Sequence, residues 1–126
     1  MAQHNLTGQW GENLACDFLT ARGYHVAERN WRVGHLEVDI IAFKGDRIVF
    51  VEVKTRSTHA VDPLEAIDSK RIRHLTRAAN AYIVANNIRH EAQFDLILII
   101  GEPHSAVAPE IEHIPDAFFP PLRTIR

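Results

Sequence analysis

Apolar residues recur along this chain with more than one period, and each period predicts an element. In TGQWGENLACDFLTAR, residues 7–22, Trp10, Leu14, Ala15, Phe18 and Leu19 fall at helical spacing, and the Gly23 that follows suits a C-terminal cap. The pattern predicts a first helix. At about 100° per residue, Glu12 lies beside Leu19 at the edge of the apolar arc, where it can reach inward. YHVAERNW, residues 24–31, alternates loosely and reads as a strand, joined to the next by RVGHL. EVDIIAFKGDRIVFVEVK, residues 37–54, alternates about Gly45-Asp46, a pair that suits a two-residue turn with glycine first. It predicts a β-hairpin.

A second helix is expected in DPLEAIDSKRIRHLTRAANAYIVANN. Asp62, Pro63 and Glu65 are arranged as a capping box, Asp68 offers a fresh start, and Ile72, Leu75, Ala79, Tyr82, Ile83 and Asn86 share one stripe. FDLILII, residues 94–100, is a continuous apolar run that suits a strand covered on both faces. After a long helix it should run parallel to the strand before that helix. The proline-rich remainder holds one short edge strand, EIEHI, and a tail. The expectation is one α/β domain, residues 1–115, with a central mixed sheet flanked by helices, and a C-terminal tail, residues 116–126.

Composition narrows the functional classes. The 126 residues are 46% hydrophobic and 24% charged, with no apolar run approaching the ~20 residues of a membrane span. No membrane partner is expected. The first residues have neither a basic segment nor an apolar core, so a cytoplasmic protein is expected. The single cysteine, Cys16, excludes an internal disulfide and a multi-cysteine zinc site and reads as a core residue. The eight histidines are scattered without ligand spacing, and no glycine-rich phosphate loop appears. Trp10 and Trp31 read as core, and Phe118 and Phe119 as a tail that docks on the body or a partner. A net charge of −2 argues against coating nucleic acid by bulk electrostatics. A local basic region remains: Lys54, Arg56, Lys70, Arg71, Arg73 and Arg77, which reads equally well as a solvated helix face.

The hairpin carries the chemistry. A turn at Gly45-Asp46 makes Lys44 face Arg47, Phe43 face Ile48, Ile41 face Phe50, Asp39 face Glu52 and Glu37 face Lys54. The opposite face is then Val38, Ile40, Ala42, Val49, Val51 and Val53. Glu37 opposite Lys54 makes an ordinary surface ion pair. Asp39 opposite Glu52 does not, because like charges with Cβ atoms roughly 4.5–5.5 Å apart repel unless a cation joins them. Two carboxylates completed by water and phosphate oxygens suit Mg²⁺ or Mn²⁺ better than zinc. Lys54, on the same face about 6–7 Å beyond Glu52, could hold an attacking water or offset charge on a phosphoryl group. Such a set cleaves phosphodiesters; the bland alternative is a structural charge cluster.

GQWGENLACDFLTARGY, NWR, EVDIIA, VFVEVKTR, the EAI stretch through Lys70, AANAYI and FDLILI, spanning residues 8–100, resemble the YraN-type family of small bacterial proteins. Glu37-x-Asp39 followed by Glu52-Val53-Lys54 resembles the active-site signature of the PD-(D/E)xK nuclease superfamily. The resemblance implies a restriction-endonuclease-like, three-layer fold similar to Holliday-junction resolvases. It implies that Asp39 and Glu52 bind Mg²⁺ or Mn²⁺, with the Val53 carbonyl as a backbone ligand and Lys54 as the catalytic lysine. Glu12 corresponds to the first-helix acid that reaches a metal-bound water, and Glu37 to the acidic residue two before the aspartate. Leu36 stands where the family usually has glycine, and Gly34 lies two residues earlier.

The expected activity is a metal-dependent endonuclease acting on nucleic acid, with DNA rather than RNA the expected partner. Arg56, Lys70, Arg71, Arg73 and Arg77 are the candidate phosphate contacts; since such contacts position without reading bases, selectivity should follow strand structure or be absent. A two-fold homodimer would match the paired sites of a duplex or junction. The alternative is a non-catalytic nucleic-acid- or protein-binding module on the same fold.

Overall fold

The computed structural model describes residues 2–58 and 67–118, and side chains from Thr7 onward. Its elements run α1 (Ala2–Ala21), β1 (His25–Val33), β2 (Leu36–Lys44), β3 (Arg47–Arg56), α2 (Ser69–Ala85), β4 (Glu91–Ile100) and β5 (Glu110–Ile114). Helix α1 begins earlier than apolar spacing predicts, because that spacing registers only the packed face. It closes at Gly23, whose φ of +89° suits glycine: Tyr24 N–H donates to Leu19 O at 3.0 Å and Gly23 N–H to Thr20 O at 3.1 Å. Helix α2 starts behind Asp68, whose carboxylate accepts from Arg71 N–H at 2.8 Å. The earlier start expected at Asp62 to Glu65 lies outside the described residues.

The five strands form one sheet in chain order. Hairpin connections make β1–β2 and β2–β3 antiparallel, β4–β5 is also antiparallel, and the crossover through α2 makes β3–β4 parallel, as expected. Ala15, Cys16 and Leu19 of α1 pack on Ile40, Ala42, Val49, Val51, Ile97 and Ile99. Leu75, Ala78, Ala79 and Tyr82 of α2 pack with Val38, Ile41, Ile48, Phe50 and Phe94. Each helix thus covers one face, and the α/β fold has the three layers of a restriction-endonuclease-like domain. Trp31 meets Tyr82 edge-on at 5.0 Å within the α2 layer. No helix among the described residues is long and apolar enough to cross a membrane.

The apolar run of β4 hides a polar side chain. Asp95 is wholly buried and lies 2.7 Å from His113 Nε2 on β5, while Gln93 Nε2 (2.9 Å) and Asp116 N–H (3.1 Å) donate to its other oxygen. The carboxylate ties β4 to β5 and to the chain beyond it. There Ala117 N–H donates to Phe94 O at 2.8 Å and the Phe118 ring sits 5.1 Å from that of Phe94. Phe118 therefore docks on the body; Phe119 and the rest of the expected tail lie outside the described residues.

Two expectations for the hairpin need correction. The register holds from Lys44–Arg47 to Ile40–Val51, and pairing of β2 with β3 ends there. Asp39 and Glu52 are therefore not ladder partners, nor are Glu37 and Lys54. Beyond that point β2 stays with β1 (Trp31–Val38, Arg32–Glu37) and β3 stays with β4 (Glu52–Leu96, Lys54–Leu98), so the two strands diverge. Val38 also departs from the face of Ile40: it packs with Leu36 and Ile41 in the α2 layer, whereas Ile40 and Ala42 pack under α1. Strict alternation breaks across Asp39.

Phe50, 1% exposed and stacked 5.6 Å from Phe94, anchors the α2 layer beneath this divergence. Phe50→Ala should destabilise the protein by about 3–5 kcal/mol through lost burial and a residual cavity. Urea unfolding monitored by circular dichroism measures it, and a loss below about 1 kcal/mol would contradict this packing.

Candidate active site

Where β2 and β3 part, an open cleft of about 520 Å³ is lined by Thr7, Gly8 and Glu12 of α1, Glu37 and Asp39 of β2, residues 52–56 of β3, and Arg71 of α2. Four elements thus bring together Glu12, Glu37, Asp39, Glu52, Val53 and Lys54, all expected from the sequence, with Arg56 at the rim. Asp39 replaces the missing ladder bond: its Oδ2 accepts from Val53 N–H at 2.8 Å. Helix α1 approaches β3 closely because residue 11 is glycine; a Cβ there would run into Thr55 Oγ1. That approach sets Glu12, the next residue, in the wall of the cleft.

Glu52 is only 3% exposed. Arg71 holds both of its oxygens, Nε to Oε2 at 3.0 Å and Nη2 to Oε1 at 2.7 Å, and Nη2 also donates to Glu37 O at 3.1 Å. Lys54 Nζ lies 3.4 Å from Glu52 Oε2. Glu37 pairs with Arg32 on β1, at 3.4 Å, and not with Lys54 as expected. The remaining basic candidates separate by helical phase: Lys70, Arg73 and Arg77 are exposed along α2, while Arg71 turns inward. Arg56, half-buried, donates to Thr55 O at 3.1 Å.

Two contacts of the cleft were not read from the sequence. Arg71, a candidate phosphate contact, holds the Glu52 carboxylate from 19 residues away, beyond any local spacing rule. Asn30 lies between the pairs Arg29–Ile40 and Trp31–Val38, beside Asp39, with a φ of +52°, and its side chain hydrogen-bonds Glu12. Asparagine tolerates that left-handed geometry better than most residues, and its place in the NWR motif was the available signal.

Residues 11–99 match the model of a family described as "Uncharacterised protein family UPF0102". The chain belongs to this family. A UPF0102 protein of Bacteroides thetaiotaomicron is 46% identical over 123 residues, covering 97% of this chain and 99% of that protein. One from Bacteroides fragilis is 44% identical with the same coverage, and one from Thermotoga petrophila is 45% identical over 91 residues, 72% of this chain and 83% of its own. The UPF0102 family is the YraN-type family that the motifs resemble, and the matched span contains every carboxylate of the cleft.

Electrostatics in the UPF0102 cleft are unbalanced. Burial first, then the charge of Glu52, push the Asp39 carboxyl up from an ordinary 3.8 to about 8, against the pull of the Val53 N–H. Burial also raises Glu12, opposed by the Asn30 hydrogen bond and the charge of Arg29. Among the described residues no three acidic, histidine or cysteine side chains stand close enough to enclose an ion by themselves. A cation here would draw on two carboxylates, Asp39 and Glu52, on the Val53 carbonyl and on water. That all-oxygen set fits Mg²⁺ or Mn²⁺, which retain several waters.

The Asp39 shift has a measurable consequence. The folded protein keeps a proton that the unfolded chain releases, so metal-free stability falls as pH rises from about 4 to about 8. Asp39→Asn, which keeps an oxygen for the Val53 N–H, should remove that part of the slope and raise the melting temperature above wild type at pH 8. Melts in EDTA between pH 5 and 8.5 test this; an unchanged slope would contradict the assigned charge state.

Proposed function

We propose that the cleft is the active site of a metal-dependent endonuclease of the PD-(D/E)xK type, hydrolysing phosphodiester bonds in nucleic acid, with DNA rather than RNA the expected substrate. The observation that carries this reading is the Asp39–Glu52 carboxylate pair, Glu52 buried and Asp39 half-buried, with Lys54 beside it at a strand divergence open to solvent. Mg²⁺ or Mn²⁺ held by Asp39, Glu52 and the Val53 carbonyl would supply charge stabilisation on the phosphate oxygens and a water of lowered pKa. Lys54 presents an ammonium to the cleft, where it opposes the negative charge that grows on phosphorus-bound oxygens in the transition state. Glu12, in the α1 wall, is the acid available to hold or accept a water proton. Lys70, Arg73 and Arg77 form an exposed stripe that can grip backbone phosphates without reading bases, which favours a structure-selective or non-specific substrate.

One observation favours a second reading, a non-catalytic module that binds nucleic acid or protein: the Arg71 guanidinium takes both oxygens of Glu52. Turnover separates the two. Wild type, Lys54→Ala and EDTA controls should be compared on labelled single-stranded, duplex, flap and four-way-junction DNA and on RNA, with Mg²⁺ or Mn²⁺. Wild type should cleave. Lys54→Ala should lose on the order of 100-fold or more in rate while keeping its nucleic-acid affinity, because the lysine acts as charge develops. Equal cleavage by both would expose a contaminating nuclease, and binding without product by wild type would select the second reading.

The basic stripe makes a separate prediction. Arg73→Glu or Arg77→Glu should weaken nucleic-acid binding and lower the slope of log K against log salt by about one. Fluorescence anisotropy at several salt concentrations measures it; an unchanged slope would make these arginines a solvated helix face.

A further inference from the structure

We propose that Arg71 and the divalent ion compete for Glu52, so that ion binding frees the Arg71 guanidinium to take a phosphate group of the substrate. This inference rests on the metal-site reading above. A guanidinium fork occupies both Glu52 oxygens, at 3.0 and 2.7 Å, so an ion shared by Asp39 and Glu52 must take at least one oxygen that Arg71 now holds. A doubly charged ion on that oxygen also repels the neighbouring guanidinium. The ion and the guanidinium therefore contend for one buried carboxylate, and binding of either weakens the hold of the other.

The same residue has somewhere to go. Its side chain is 27% exposed and lines the cleft, so it can leave Glu52 towards solvent without crossing the core. Its backbone stays fixed, because Arg71 N–H is held by the Asp68 cap at 2.8 Å. Glu37 O, its third acceptor, is a single neutral contact at 3.1 Å and does not replace the carboxylate. A phosphate does, since it offers the fork two anionic oxygens. In the metal-free state the arginine neutralises a buried carboxylate; with the ion bound it becomes a positioning residue for substrate.

Two consequences are measurable without turnover. Competition lowers apparent ion affinity by the fraction of protein in which Glu52 is open, so Arg71→Gln should bind Mn²⁺ at least about tenfold more tightly than wild type in calorimetry. In wild type labelled with ¹⁵N-arginine, the Arg71 Nε–H resonance should shift and lose its protection from exchange as Mg²⁺ is added. The half-saturation should match that of ion binding. This second measurement needs no variant, so it stands even if Arg71→Gln folds poorly. Asp39→Asn serves as the control and should lose ion binding. If wild type binds the ion, Asp39→Asn does not, and the Arg71 resonance is unmoved while Arg71→Gln binds no more tightly, the metal site survives and the competition is overturned. If neither wild type nor Arg71→Gln binds Mn²⁺, the metal-site reading fails and the competition with it.

Discussion

The bond from Val53 N–H to the Asp39 carboxylate, 2.8 Å long, is the contact on which the cleft depends. Two antiparallel strands that separate leave backbone groups without partners, and a buried unpaired N–H is costly. Here β2 keeps its bonds to β1 and β3 keeps its bonds to β4, so only the inner edges need new partners. The Asp39 side chain supplies one of them. The gap is therefore a feature of a paired sheet and not a frayed end, and the carboxylates around it are held by rigid elements, as a preorganised site requires.

Holding them there is electrostatically unfavourable. Glu12, Glu37, Asp39 and Glu52 share the cleft, and Glu52 is almost completely buried. The chain offsets this in three ways: Arg32 meets Glu37 at the surface, Arg71 and Lys54 meet Glu52, and the Asp39 carboxyl is pushed towards its protonated form. A purely structural cluster of this kind would be a poor stabiliser, because a buried ion pair seldom exceeds a well-packed apolar replacement. A carboxyl displaced in this way, in a cleft and beside cations, is what the proposed active site would require.

Much of the fold was legible in local patterns. Gly45-Asp46 with alternation on either side defined the hairpin register near the turn, EIEHI marked β5, Asp68 marked the start of α2, and the position of FDLILII after a helix implied the parallel pairing. Each depends on neighbours in sequence or on a single chirality rule. The residues gathered in the cleft were legible too, because motif order constrains them even where the pairing reasoned for them fails. What could not be read was where β2 changes partner. Alternation assumes one partner and one twist along a strand, so Val38 was placed on the face of Ile40 and Asp39 directly across from Glu52. Arg71 was missed as a carboxylate partner for a related reason: the phase of α2 relative to β3 is set by tertiary packing, which the neighbouring Lys70, Arg73 and Arg77 cannot disclose.

The central claim, that this divergence builds a divalent-cation site, is tested most directly by an anomalous-difference map from a crystal equilibrated with Mn²⁺. The expected result is one strong peak in direct coordination, about 2.1–2.3 Å, from carboxylate oxygens of both Asp39 and Glu52, with the Val53 carbonyl alongside. A peak bound only at other residues, or none at saturating Mn²⁺, would contradict it.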